Sequence, residues 1–284
     1  MGHAVREADT AEAARVAQAA LTLDPGEGAA LVAHLSRPPA ERRWTALATA
    51  DGVVMASLSA SDPAVGHIDL LAVHPSAQGR GQGRALVGAA EEWLAGQGAR
   101  QARFAGNPPC YAWPGIDVRY TAAACLAESL GYERYHVAWN MTADLGGDLS
   151  SQEAEQRLAD HGVTVRKAGD DRDRVAAFVE EQWNDRWAWE AVHAAGLHYA
   201  ERDGRILGFA AWGARPAWFG PMGTALESRG MGLGGVLLRR CLAEQRDAGQ
   251  SGAQIGWVGP LRFYSRAVGA RAERVFWLYR RDLA

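Results

Sequence analysis

The chain has 284 residues, 48% of them hydrophobic and 22% charged, and 30 basic against 33 acidic side chains leave a net charge of −3. That is the make-up of one large or two medium globular domains, with no basic surface for nucleic acid and no apolar run near the ~20 residues of a membrane span. Three scattered cysteines without a CxxC pair argue against a disulfide framework or a structural metal, and an acidic N-terminal stretch (Glu7, Asp9, Glu12, Asp24, Glu27) lacks the apolar core of a secretory leader, so a soluble, cytoplasmic protein is expected.

In chain order, a short strand at Val5-Arg6-Glu7 gives way after Asp9 to an Ala/Val-rich helical pattern. Residues 45–50 and 53–58 are apolar runs joined through Asp51-Gly52, a dipeptide suited to a tight hairpin turn. Residues 67–74 alternate and then turn apolar, as a strand does, and feed the run Gln78-Gly79-Arg80-Gly81-Gln82-Gly83. A helical stretch (84–95) and an aromatic-rich strand (131–141) follow, then the polar Gly/Ser stretch 144–151 and a polar helix over 151–160.

The plan then repeats. Val165-Arg166-Lys167-Ala168 opens the second copy, Asp203-Gly204 joins residues 197–200 to 206–212, and 219–226 lead into Arg229-Gly230-Met231-Gly232-Leu233-Gly234. This second glycine run lies 229 − 78 = 151 residues after the first, and a helix (235–248) and an aromatic-rich strand (269–279) close the copy. The expectation is an α/β (α+β) protein of two tandem domains, 1–145 and 146–284, each a mixed central β-sheet flanked by helices. Up to residue 148 there are 16 acids and 11 bases, and after it 17 and 19, so the copies have diverged in charge.

A strand, a glycine-rich turn and a helix start aim backbone N–H groups and the positive helix end at one point, which binds phosphate without a cationic side chain. A tight turn without a ligand would need the same glycines; two copies in matching settings favour the phosphate reading. Neither run ends in the Gly-Lys-Ser/Thr of a nucleotide P-loop, and neither is followed by the acidic strand end of a dinucleotide site.

The pattern Gln/Arg-x-x-Gly-x-Gly/Ala between strand and helix resembles the acetyl-CoA loop of the GCN5-related N-acetyltransferases (GNAT). The resemblance spans nearly the whole chain as a tandem pair, with Val73-His74-Pro75 before the first loop and residues 263–270 (FYSRAVGA) near the end. More narrowly, Phe219-Gly220-Pro221-Met222-Gly223, residues 255–260 (IGWVGP) and Pro114-Gly115-Ile116-Asp117 resemble bacterial tandem acetyltransferases acting on glucosamine and glucosaminides. The resemblance implies acetyl-CoA as cofactor and direct transfer to a small-molecule primary amine, with an amino sugar as the preferred acceptor and no metal, nucleic acid or membrane partner. It implies that backbone groups of Leu71, Ala72 and Val73, and of Met222, Gly223 and Thr224, pair with the pantetheine arm. The pyrophosphate would fall to Gln78, Gly79, Arg80, Gly81, Gln82, Gly83 and Arg84, and to Arg229, Gly230, Met231, Gly232, Leu233, Gly234 and Gly235. The side chains of Arg80, Arg84 and Arg229 would add charge-assisted contacts or simply be solvated.

Direct transfer also needs an acid for the leaving thiolate and a route for the amine proton. By resemblance the acid is Tyr264, five residues before Gly269; a core tyrosine is the alternative. Five residues before Gly131 stands Leu126, which carries no proton, so the second copy is expected to perform transfer. For a base the sequence offers Glu227, the pair His67 and Asp69 on one strand face, and Asp117, which a helix N-cap explains better than an amine anchor. Trp183, Trp187 and Trp189, with Asn184, Asp185 and Glu190, suit a sugar-binding wall or a packed helix. Protein or peptide amines as acceptors, and a CoA-binding sensor without turnover, are the competing functions.

Overall fold

The computed structural model describes residues 3–215 and 217–283. Two compact units divide the chain: the residues up to Ala138 together with those from Arg274 onward, and the residues from Trp139 to Glu273. Each is a mixed sheet with helices on both faces, as expected.

In the first unit the elements are β1 (Arg6–Glu7), α1 (Thr10–Ala20), α2 (Gly28–Leu35), β2 (Trp44–Ala48), β3 (Gly52–Leu58), β4 (Val65–Val73), α3 (Gln82–Gly96), β5 (Gln101–Phe104), β6 (Ile116–Asp117), α4 (Thr121–Ser129) and the start of β7 (Glu133–Asp144). The Asp9 carboxylate caps α1 by accepting the Glu12 N–H at 2.7 Å, and Ala13, Ala17 and Ala20 form its buried stripe. Strands β1 to β4 run antiparallel in sequence order, while β4 and β5 are parallel, joined by α3. Leu86, Val87, Ala90 and Leu94 of α3 pack with Val54, Ile68 and Ala102 on one face; Ala13, Ala17 and Val32 pack with Val53, Met55 and Leu70 on the other.

The second unit holds α5 (Gln152–Ala159), β8 (Thr164–Lys167), α6 (Arg172–Gln182), α7 (Asp185–His193), β9 (Gly196–Arg202), β10 (Arg205–Trp212), β11 (Trp218–Thr224), α8 (Leu233–Asp247), β12 (Gly252–Ile255), α9 (Leu261–Val268) and the start of β13 (Arg271–Asp282). Asp203 and Gly204 turn β9 into β10 with φ of 51° and 77°, the two positive values that the expected hairpin turn requires. Strands β8 to β11 are antiparallel neighbours, and β11 and β12 are parallel, the counterpart of β4 and β5.

The division differs from a cut at 145/146. Met141–Asp144 of β7 pair with Ile255–Gly252 of β12, which places them in the second unit. Tyr279–Asp282 of β13 pair with Phe104–Gln101 of β5, so the first unit is completed by a strand that follows the whole of the second. Tyr279 and Phe276 are fully buried there. A strand's partner is set by hydrogen bonding across space, and two similar aromatic strands leave the exchange unmarked in sequence.

Candidate active site

The two glycine runs adopt one conformation. Gly79 and Gly81 have φ of 73° and 86°, and Gly230 and Gly232 have 86° and 85°; Gly81 and Gly232 are the left-handed N-caps of α3 and α8. A side chain at either N-cap would be strained, whatever the space around it. From Gly79 to Arg84 no backbone N–H has a backbone acceptor among the described residues; Ala85 is the first to bond, to Gly81 at 3.0 Å. From Gly230 to Gly234 the same holds, until Gly235 bonds to Gly232 at 3.1 Å. Clusters of orphan donors at a helix start fit an anionic group such as a pyrophosphate.

The side chains of the first loop mostly serve the fold. Gln82 is buried, accepting from Thr49 and donating to Asp51 at 3.2 Å, and so ties α3 to the hairpin turn. Gln78 donates to the Val73 carbonyl at 3.1 Å, and His3 meets the Arg80 carbonyl at 2.6 Å. Arg84 donates to Ser129 at 3.1 Å. Arg80, Arg84 and Arg229 are exposed. Arg80 apart, any anion site in the first loop therefore rests on backbone.

Beside each loop a pair of parallel strands comes apart. Strands β4 and β5 pair only through Val65, Gly66 and His67, so Ile68 to Val73 keep β3 on one edge and no strand on the other. Strands β11 and β12 pair only through Trp218 and Phe219, so Met222, Gly223 and Thr224 keep β10 alone. Each open edge offers N–H and C=O groups to an extended amide chain. Each inner strand also carries a bulge at the opening: Asp69 is the extra residue between Ile68 and Leu70, and Gly220-Pro221 face the single Ala211.

Tyr264 lies on α9, 8% exposed, its ring edge-on to Phe219 and Phe263 at 6.2 and 5.0 Å. Its hydroxyl has no hydrogen bond among the described residues, and burial pushes it up to about 12, so the O–H proton is retained at neutral pH. Phe263 in turn covers Gly234 on α8, and an open cleft of about 500 Å³ beside it is lined by Arg262, Arg266 and Ala267. In the first unit Leu126 covers Gly83 on α3, and the places of Arg262 and Arg266 fall to Ala124 and Glu128.

The base candidates part ways. Glu227 is exposed and 3.6 Å from Arg205, a solvated turn acid. Asp117 does not cap α4, whose N-cap is Tyr120. Its side chain is fully buried between Arg119 and Arg274, 2.8 Å from each, in a cluster with Asp24 and the Tyr120 hydroxyl. Burial raises its pKa, but the Arg119 and Arg274 hydrogen bonds outweigh this and hold the carboxyl below its usual range. Asp117 is thus an anchor of the fold and a poor proton acceptor, a correction to its candidacy.

Asp69 differs. It accepts from Ser57, which itself accepts from Asn107 at 2.8 Å, while Arg42 donates to the carbonyls of Asn107, Pro108 and Cys110 at 2.6–2.8 Å. Asp69 Oδ1 is sealed from solvent without a partner, and burial lifts the carboxyl to about 7. His67 bonds the Ala105 carbonyl at 2.9 Å, and burial lowers it to about 4, leaving a neutral imidazole.

Trp183 and Trp187 stack on each other at 5.9 Å and meet Phe209 tilted and edge-on at 5.5 and 6.3 Å, with Trp183 pressed on Gly223, which is core packing on the β10–β11 face. Asn184 caps α7 by accepting the Trp187 N–H at 2.9 Å, and Trp189 stacks on His193 at 3.9 Å. Glu190 of α7 is buried with Arg215 at 3.9 Å and is raised by burial to about 7. A carboxylate on the buried face of an amphipathic helix was the sequence signal for it. Among the described residues no group of three or more His, Cys, Asp or Glu side chains is placed to hold a metal.

Comparison with known proteins agrees with this geometry. The Acetyltransferase (GNAT) family profile matches residues 14–111. A mycothiol acetyltransferase of Thermomonospora curvata is 32% identical over 232 residues, 74% of this chain and 72% of the relative. The chain belongs to the GNAT acetyltransferase family. Among solved structures, a tandem GNAT protein from the clavulanic acid biosynthesis pathway aligns over 99% of this chain and 98% of its own with a TM-score of 0.72 at 17% identity. A GCN5-related glucosamine N-acetyltransferase region of a fungal multi-domain β-N-acetylglucosaminidase aligns over 98% of this chain and 38% of that one, with a TM-score of 0.74 at 17% identity. At that identity both speak for the fold. The chain is thus a GNAT acyltransferase of tandem architecture, and no helix among its described residues is long and apolar enough to cross a membrane.

Proposed function

We propose that this acetyltransferase moves the acetyl group of acetyl-CoA directly to a small primary amine, an amino sugar being the preferred acceptor. The observation that carries the reading is the doubled arrangement of orphan loop N–H groups beside an open strand edge. The N–H groups of Gly79–Arg84 and of Gly230–Gly234 hold the pyrophosphate, and the edges of Leu71–Val73 and Met222–Thr224 hold the pantetheine amides. When bound, the thioester supplies an activated acetyl group.

Tyr264 is the acid of the second unit: its unpartnered O–H is kept protonated by burial and would donate to the thiolate sulfur as the C–S bond breaks. The mycothiol acetyltransferase relative supports a small-molecule acceptor, and the likeness of Pro114–Asp117 and of residues 219–223 to glucosaminide acetyltransferases supports an amino sugar. Incubation with radiolabelled acetyl-CoA and amino sugars, polyamines and peptides tests this. Label on the amino sugar is expected; label on peptides alone would overturn the acceptor assignment.

A further inference from the structure

We infer that Glu190 of the second unit sets acceptor specificity: its carboxylate takes the hydrogen bond of a hydroxyl that neighbours the acceptor's amine. The inference rests on the amino-sugar reading and deepens it, because it names the side chain that tells an amino alcohol from a plain amine.

The place of Glu190 in the fold is the first support. Strands β11 and β12 pair through Trp218 and Phe219, and the Gly256 N–H donates to the Phe219 carbonyl at 3.3 Å as the last link before they part. Phe219, Ile255 and Tyr264 belong to the core on the α8 side of this sheet. Alternation along the strand turns Trp218 to the opposite face, toward α7. There Trp218 covers Gly256, where a Cβ would come within 2.5 Å of its ring, and the Arg215 guanidinium sits over the same ring at 4.2 Å. Glu190 reaches this point from α7, with Oε2 3.9 Å from Arg215 Nη2. The carboxylate therefore stands where the strands separate, across the sheet from Tyr264 and the α8 loop, on the side left for an acceptor.

The second support is what the carboxylate lacks. Glu190 is 5% exposed, yet it accepts no hydrogen bond among the described residues, since 3.9 Å to Arg215 is an attraction without a hydrogen bond. Buried carboxylates normally gather donors, and burial without them raises this one to about 7 while Arg215 pulls it down. The nearby guanidinium disfavours a second cation at the carboxylate, so a neutral donor, a hydroxyl, is the partner that fits. An independent sign comes from the residue after Gly256. Trp257 has φ of 47°, a conformation rare for a bulky residue, and Asn140 of β7 holds it there by accepting its N–H at 2.9 Å. Asn140 is fully buried, and its Nδ2 has no partner among the described residues. Backbone strain and unsatisfied buried polar groups on one face, beside one opening, are the marks of a wall shaped for a ligand.

A substrate-and-variant cycle on the full chain tests this. Wild type, Glu190→Ala and Glu190→Gln are assayed with glucosamine and with the two analogues that each lack one hydroxyl beside the amine. In the wild type, removal of one of these hydroxyls should lower kcat/KM by roughly 10- to 100-fold, the scale of one hydrogen bond to a charged group. In Glu190→Ala, glucosamine itself should fall by a similar factor, mainly through KM, and the same deoxy analogue should lose nothing further. Acetyl-CoA affinity, read by titration calorimetry, should stay unchanged. Glu190→Gln keeps the size of the side chain and should show the same coupling at lower amplitude, and it carries the test if the alanine variant does not bind acetyl-CoA. Independent, multiplying losses from variant and analogue, or a fall in kcat with KM unchanged, would overturn the role of Glu190 and leave the amino-sugar reading standing. Transfer by the wild type to spermidine or a peptide but to no amino sugar would remove that reading, and this inference with it.

Discussion

At residues 69 and 220 the two units reach the same point of the same strand, 151 positions apart, and meet it with opposite equipment. The first unit puts a carboxylate on the bulge and a leucine, Leu126, where a proton donor would stand; the second puts Gly220 on the bulge and Tyr264 on the helix. The glycine loops and open edges are alike, whereas the ionisable side chains beside them differ between the units. Backbone geometry is dictated by where glycines fall and so survives duplication, while single side chains drift freely once a second copy exists. The helix that follows has diverged too, with Arg262 and Arg266 in one unit against Ala124 and Glu128 in the other.

The widest gap between the units should open on removing the residues from Arg274 onward. The first unit loses the partner of β5 with the buried Phe276 and Tyr279, each worth about 3–5 kcal/mol, and the second loses nothing internal. Calorimetry should then show the transition of the second unit alone. Arg274→Ala should act on the same unit more gently, by about 2–4 kcal/mol, because Asp24 and Asp117 keep only Arg119. Asp117 titrates below its usual value when folded, so this stabilisation is full above the ordinary carboxylate pKa and fades as pH falls through the lowered one. Melting temperatures of wild type and variant should accordingly converge in acid.

Tyr264→Phe removes one hydroxyl from the second unit. The expected result is a roughly 10²-fold fall in that unit's kcat with acetyl-CoA affinity intact, read by single-turnover kinetics and titration calorimetry. Gly81→Val and Gly232→Val, each costing about 1–2 kcal/mol of backbone strain and obstructing the loop, should each delete one equivalent of bound acetyl-CoA, which would show whether both units are loaded. The smallest effect belongs to Asp69→Asn measured as stability. Because the folded carboxyl is raised to about 7, its favourable form is the protonated one, present below the ordinary value and lost as pH rises through 7. The variant should match wild type near pH 4 and exceed it by about 1–2 kcal/mol at pH 8 in denaturant melts.

Much of this could be read from residues alone. The loops were legible because glycine at alternate positions before a helix has few explanations and the spacing recurs at 151. Asp203-Gly204 was legible because that turn needs positive φ twice. Asp69 was legible as a base candidate on a strand face, but its place on a bulge was not: a bulge is an extra residue in one strand relative to its partner, and alternation along a single strand cannot reveal it. Asp117 misled for a related reason, since its two arginines lie 2 and 157 residues away. The exchange of β7 and β13 left no mark, because either aromatic strand would suit either sheet.

That exchange also orders events in time. A growing polypeptide emerges from the ribosome from its N-terminus, and domains as a rule fold in the order in which they emerge. Here the unit begun first lacks its β5 partner until residues 279–282 have been made, whereas the second has all of its strands by then. During synthesis the exposed edge of β5 must wait through more than a hundred residues of translation, a window in which a chaperone or a neighbouring nascent chain can reach it.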